Sequence, residues 1–270
     1  MILMVCLALM VPTASAESNT AHYGVLFAES TWSAIDKTET GYATVEEFCD
    51  YALTTIQNIA DFVNRPNWYA IYGENTVIEY RMTDGPSHAE GGYRAVNNPV
   101  PITYLNQSLF EKGMAPIAHE TTHIIYPKFS LLSLREGLAS YCHEKFGGNP
   151  TVFSFGVPVH EHVRYLNNTQ PAMFKETLDI IGDLLGELPY AEGETRAIYY
   201  TISHSLAKYI VETYGIDSYM LLYESDPYNV SFENVLGISL DELKEEWLKY
   251  VDALPLGMSN DEIATALNPY

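Results

Sequence analysis

The sequence predicts an α+β fold: a small mixed sheet with an edge strand and a histidine-bearing helix in an N-terminal lobe, then a mainly helical C-terminal lobe. Three observations predict it. Runs rich in β-branched and aromatic residues, Trp68–Tyr72, Thr76–Met82 and Val100–Leu105, are bounded by Gly, Asn and Pro, as strands punctuated by turns are. After Gly147-Gly148-Asn149-Pro150 the apolar residues fall at helical spacing, most clearly over Glu194–Tyr214 and Leu240–Tyr250. Between these regions lies His119-Glu120-Thr121-Thr122-His123, whose two histidines project from one side of a helix. The implied division is a leader over 1–16, an N-terminal lobe over 17–146 and a helical lobe over 147–270 that closes on it, the two lobes forming one domain.

Residues 1–16 read as a secretory signal peptide. Ile2–Val11 is an apolar run too short to span a bilayer, and Ala14-Ser15-Ala16 is a small-residue cleavage site, although no Lys or Arg precedes the run. A secreted or extracytoplasmic chain without a membrane span is expected. Acidic residues outnumber basic ones 35 to 14, for a formal net charge of −21. A surface of that sign repels nucleic acid and anionic membranes, so nucleic acid is not an expected partner. Removal of the leader leaves Cys49 and Cys142, which in an exported protein form one disulfide or remain two buried thiols.

Taken in order, the elements follow from spacing and punctuation. Thr44–Val63 is an amphipathic helix, with Val45, Phe48, Leu53, Ile56, Ile59, Ala60 and Val63 largely on one face, Gly41 before it and Pro66 after it. Trp68–Tyr72 and Thr76–Met82 read as strands around Gly73-Glu74-Asn75. Val100–Leu105 is a strand that Pro99 and Pro101 confine to a sheet edge, since proline has no N–H to give a ladder. Pro116 opens the next helix and Pro127 ends it; Ile117, Ala118, Thr121, Ile124 and Ile125 make it a buried one. Leu134–Tyr141 starts a further helix with Glu136 in its first turn. Ser133-Leu134-Arg135-Glu136 also fits a capping box, in which Glu136 would bond back to the Ser133 N–H. His160-Glu161-His162, read as a strand between loops, would set two imidazoles on one face as a second metal site, but no third partner is near in sequence.

The chemistry centres on the paired histidines. Imidazoles four residues apart on a helix can bind one zinc ion, and Glu120 lies beside them as a base. With Glu136 as third ligand, Zn2+ would keep a fourth position open, which is the catalytic rather than the closed structural pattern.

His119-Glu120-x-x-His123 followed by Glu136-Gly137-Leu138-Ala139-x-Tyr141 resembles the gluzincin metallopeptidases, the group that includes thermolysin and the zinc aminopeptidases. The likeness is nearer to the small bacterial and archaeal peptidases of that group, in which an E-G-x-A-x-Y helix follows the zinc helix closely. It continues at Tyr199-Tyr200-x-x-Ser203-x-Ser205-Leu206 and, more weakly, at Glu245-Glu246-Trp247. The resemblance implies a peptide or protein substrate, His119, His123 and Glu136 as zinc ligands, and Glu120 as the base that takes a proton from zinc-bound water. It implies an oxyanion donor from the C-terminal lobe, where Tyr199, Tyr200 and His204 lie; Tyr200 and His204 are favoured. It further implies that the segment from Gly91 to Thr103 pairs with an extended substrate, against the simpler reading of a plain edge strand. Two departures matter. Ser140 stands where thermolysin has an aspartate that supports a zinc histidine. Ala89-Glu90-Gly91-Gly92 lacks the G-x-M-E-N pattern of the aminopeptidases, which favours endopeptidase action and leaves Glu90 without a role. Two other classes fit the same residues: a catalytically inactive zinc-binding module for protein interaction, and a zinc amidase acting on cell-wall peptides. Glu120 speaks against the first, because a purely structural site has no use for a base.

Overall fold

The computed structural model describes residues 23–73, 75–91, 100–149, 154–187, 195–255 and 257–267, so the expected leader over 1–16 and most of the Gly91–Thr103 segment lie outside the described residues. The chain is mixed α+β, as the sequence predicts, and forms two compact units, residues 1–128 and 129–270.

The first unit runs β1 (Tyr23–Phe27), α1 (Glu29–Ala34), α2 (Val45–Phe62), a 3-10 turn (Trp68–Ile71), β2 (Thr76–Thr83), β3 (His88–Glu90), β4 (Ile102–Asn106), α3 (Gln107–Glu111) and α4 (Ile117–Ile125). Its sheet has the order β1-β2-β4-β3, with β1, β2 and β4 parallel and β3 antiparallel to β4. The amphipathic helix predicted over Thr44–Val63 is α2. Thr44 caps it by accepting the Glu47 N–H at 3.2 Å, and Phe48, Ala52, Ile56 and Ile59 on its inner face have no exposed surface. Around Phe48 stand Phe27, Tyr80, Tyr42 and Phe110, with ring centroids 5.1, 5.3, 5.4 and 5.5 Å away. Edge-to-face packing of this kind adds to the burial of the rings themselves.

Two strand expectations are corrected. Trp68–Ile71 is a turn of 3-10 helix, not a strand. Burial of Trp68 against Tyr23, at 5.2 Å between centroids, outweighs the β preference of the run. Gly73 and Asn75, both at positive φ, then turn the chain into β2. The strand after Pro101 is β4, and it lies inside the sheet, between β2 and β3; the short β3 holds that edge. Pro101 does not obstruct the pairing because it precedes the strand and its carbonyl still accepts the Glu79 N–H at 3.0 Å.

The second unit is helical among the described residues: α5 (Leu132–Phe146), α6 (Val159–Thr169), α7 (Pro171–Ile180), α8 (Leu184–Glu187), α9 (Arg196–Tyr214), α10 (Ile216–Glu224), α11 (Phe232–Leu236), α12 (Leu240–Ala253) and α13 (Asn260–Leu267). The predicted core positions Ile198, Ile202, Leu206 and Ile210 of α9 are buried, as are Leu243, Trp247 and Val251 of α12. Helices α5 and α9 meet backbone to backbone. A Cβ at Gly137 would stand 2.5 Å from the Ser203 carbonyl and 2.9 Å from Ala207 Cβ, so only glycine fits there. Cys49 in α2 and Cys142 in α5 are buried thiols, not a disulfide. Among the described residues no helix is long and apolar enough to cross a membrane.

Replacing Phe48 with alanine removes the ring shared by the whole aromatic cluster. The expected cost is about 3–5 kcal/mol, the usual range for a buried Phe-to-Ala cavity, read as a lower denaturation midpoint in urea.

Candidate metal centre

Helix α4 carries both histidines, and its back is fastened to the sheet. Ile117, Ala118, Thr121, Ile124 and Ile125 are buried as the sequence predicts. Tyr80 on β2 shares a hydrogen bond with the Thr121 hydroxyl at 2.8 Å, and the Tyr72 hydroxyl donates to the Ile124 carbonyl at 2.9 Å. The second bond satisfies a carbonyl that the helix end leaves without a partner of its own. Pro116 is the N-cap rather than the first helical residue, and its carbonyl accepts the Glu120 N–H at 3.0 Å.

The opposite face of α4 carries the imidazoles. His119 and His123 are half-buried, and their Nε2 atoms stand 3.3 Å apart with the rings near perpendicular, at 83°. Two nitrogen lone pairs at that distance need a common partner, which is one shared proton or one cation. For a tetrahedral ion with bonds of roughly 2.0–2.1 Å, the ligand nitrogens would lie about 3.3–3.4 Å apart, which is the separation found. Glu120 is 6% exposed, held beside the imidazoles and largely out of water.

Glu136 lies on α5, which follows α4 after the short connection 126–131. The helix begins at Leu132, so Glu136 sits in its second turn rather than its first. The capping-box reading is overturned. The N-cap is Leu131, which bears no capping side chain, and Ser133 lies inside the helix with its hydroxyl bonded to Glu187. The Glu136 carboxylate, 5% exposed, instead takes the Arg135 guanidinium on Oε1, at 3.2 and 3.3 Å. One ligand atom from each of His119, His123 and Glu136 lies within 4.8 Å of the others, the only such group of His, Cys, Asp or Glu among the described residues. Two imidazole nitrogens and a carboxylate are a donor set suited to zinc with a position to spare.

The three oxyanion candidates all lie on α9, in different surroundings. Tyr199 has no exposed surface; burial, with Glu187 nearby, pushes its hydroxyl far above the usual tyrosine range. Tyr200 is 8% exposed, with the Arg196 guanidinium over its ring. His204 Nε2 lies 2.8 Å from Glu144 Oε2, and the other oxygen of Glu144 takes the Lys208 ammonium. Partial burial alone would raise the Glu144 carboxyl, but the bonds and charges of His204 and Lys208 outweigh it and hold it at about 2.

His160 and His162 do not form the second metal site considered from sequence. They lie on α6, where residues two apart point to opposite sides. His160 Nδ1 is 2.8 Å from the Ser205 hydroxyl, which also accepts the Trp247 indole N–H at 3.0 Å. Glu144 and Glu187 are the two polar groups that sequence reasoning missed. Glu144 falls two helical turns beyond Glu136 and was in principle visible, whereas nothing local marks Glu187.

The two α6 histidines set a pH dependence. Burial lowers both, from 6.5 to about 4, and the positive charge of Lys208 adds to the effect on His160. The unfolded chain therefore takes up protons below about 6.5 that the folded chain refuses until about 4. Their contribution to stability is complete above the higher value and is lost as the pH falls to the lower one. The loss from Glu144 sets in only below its unfolded value of 4.5. Melting temperatures should fall over that window, and the double variant His160→Gln/His162→Gln should show a shallower fall.

Compared with family models, curated proteins and solved structures, the chain matches none, so the gluzincin resemblance rests on the residues themselves.

Proposed function

We propose that the chain is a secreted, zinc-dependent metallopeptidase of the gluzincin type that hydrolyses peptide bonds, with endopeptidase action favoured. The observation that carries this reading is the 3.3 Å approach of His119 and His123 Nε2, with the Glu136 carboxylate in the same group. His119, His123 and Glu136 would hold the ion. Bound there, zinc would act as a Lewis acid on the scissile carbonyl and would lower the pKa of a coordinated water to roughly 7.

The rest of the chemistry falls to side chains. Glu120 follows His119 directly and lies about 100° around the helix from it, on the edge of the histidine face. Its carboxylate takes the proton of the attacking water and passes it to the departing amine, so that the C–N bond breaks as a neutral amine leaves. The Arg135 guanidinium binds Glu136 Oε1, which keeps the side chain oriented. Of the oxyanion candidates, Tyr200 and His204 are assigned here and Tyr199 is not, because its hydroxyl is enclosed near Ser133 and Ser203. Glu144 Oε2, 2.8 Å from His204 Nε2, orients the imidazole, and an imidazole N–H can donate to a developing oxyanion.

Two glutamate variants separate ligand from base. Glu120→Gln should keep zinc and lose at least ~10²–10⁴-fold in peptide hydrolysis, the span of general acid–base catalysis. Glu136→Gln should weaken zinc binding, because a neutral amide replaces an anion on a dication, with part of the activity returning in excess metal. Bound zinc and cleavage of an unstructured protein are measured side by side. If zinc-loaded Glu120→Gln cleaves as fast as wild type, the peptidase reading fails and an inactive zinc-binding module replaces it.

A further inference from the structure

Helix α5 begins without a cap of its own. Leu131, at the N-cap position, has no hydrogen-bonding side chain and is buried, at 1% exposure. The groups that a helix start leaves unsatisfied are met from elsewhere in the second unit. Glu187, the last residue of α8, has no exposed surface. Its carboxylate accepts the Leu132 N–H at 2.8 Å, the Ser133 hydroxyl, and the Gly182 N–H at 2.7 Å. Burial raises this carboxyl while the bonds from Ser133, Gly182 and Leu132 oppose the shift. The positive end of the α5 dipole likewise favours an anion there.

Stability alone would be served by a serine or aspartate at position 131. A carboxylate brought from α8 does more, because it ties the first turn of α5 to another element by directional bonds. Two further contacts hold the helix. The Tyr219 hydroxyl of α10 donates to the Leu134 carbonyl at 2.6 Å, and Gly137 lies against the backbone of α9. Glu136 falls between these fixings, one turn after Ser133. A metal ligand must be held within roughly 10–20° of its productive direction, and apolar packing alone does not fix the roll of a helix that closely.

We propose that Glu187 is a positioning residue for the metal centre. Through the start of α5 it fixes the direction in which Glu136 presents its carboxylate. The proposal rests on the metal reading given above and assigns Glu187 no contact with metal or substrate.

The test measures zinc affinity by competition with a chromophoric chelator, and separately the melting temperature of the metal-free chain. The chains compared are wild type, Glu187→Gln, Ser133→Ala, Glu136→Ala and the double variant Glu187→Gln/Glu136→Ala. Glu187→Gln should weaken zinc binding by about tenfold or more, as losses of supporting partners around metal ligands do, and Ser133→Ala by less. In the Glu136→Ala background the Glu187 substitution should have no further effect on affinity, because the ligand it acts through is gone. A lowered melting temperature with wild-type affinity would make Glu187 purely structural and overturn the proposal. So would equal losses of affinity with and without Glu136. If Glu187→Gln does not fold, Ser133→Ala decides alone: weaker zinc binding supports the proposal and unchanged binding overturns it. A wild-type chain that binds no zinc would instead defeat the metal reading, and the role of Glu187 with it.

Discussion

The site depends on the 3.3 Å between two imidazole nitrogens on a helix of nine residues. A helix that short has little stability of its own, so the spacing persists only if tertiary contacts impose it. They do so from one side. The buried isoleucines, the Tyr80–Thr121 bond and the Tyr72–Ile124 bond fasten the back of α4, opposite the half-buried histidines. The sheet and the aromatic cluster around Phe48 serve as the foundation of this arrangement, since Tyr80 belongs to both.

Four glutamates show how environment assigns different work to one residue type. Glu120 lies beside the imidazoles and out of water. Glu136 is balanced by Arg135, Glu144 by His204 and Lys208, and Glu187 by hydrogen-bond donors at a helix start. The directions of the acid shifts follow: cationic partners hold Glu144 down, whereas burial wins at Glu187. In a chain with 35 acidic residues, composition alone would not have distinguished these four.

What could be read from the sequence was local. The histidine pair was legible because four-residue spacing on a helix is a property of the helix itself. Helices α2 and α12 were legible because each has one apolar stripe, and α9 because its apolar residues recur at helical spacing even though it is buried on nearly every side. The features that were misread depend on partners distant in sequence. Trp68–Ile71 has strand-like residues, but the buried indole settles its conformation. The interior place of β4 comes from parallel pairing with β2, which no local pattern announces. Val157-Pro158 suits a loop or a helix start equally well, and Pro158 proved to be the N-cap of α6. Glu187 meets Leu132 across 55 residues.

The close approach at Gly137 bears on how the Glu136-Gly137 pair should be understood. Successive helical residues point about 100° apart, so a helix that turns one side chain toward the candidate metal group turns the next toward a different neighbour. Here that neighbour is the backbone of α9, and there is no room for even a methyl group. The glycine therefore acts as a gauge of the distance between two helix axes, and its tight seat sets the depth at which the glutamate before it is held. Read in this way, Glu-Gly is a single mechanical unit: one residue supplies the charge, and the other supplies the clearance that places it.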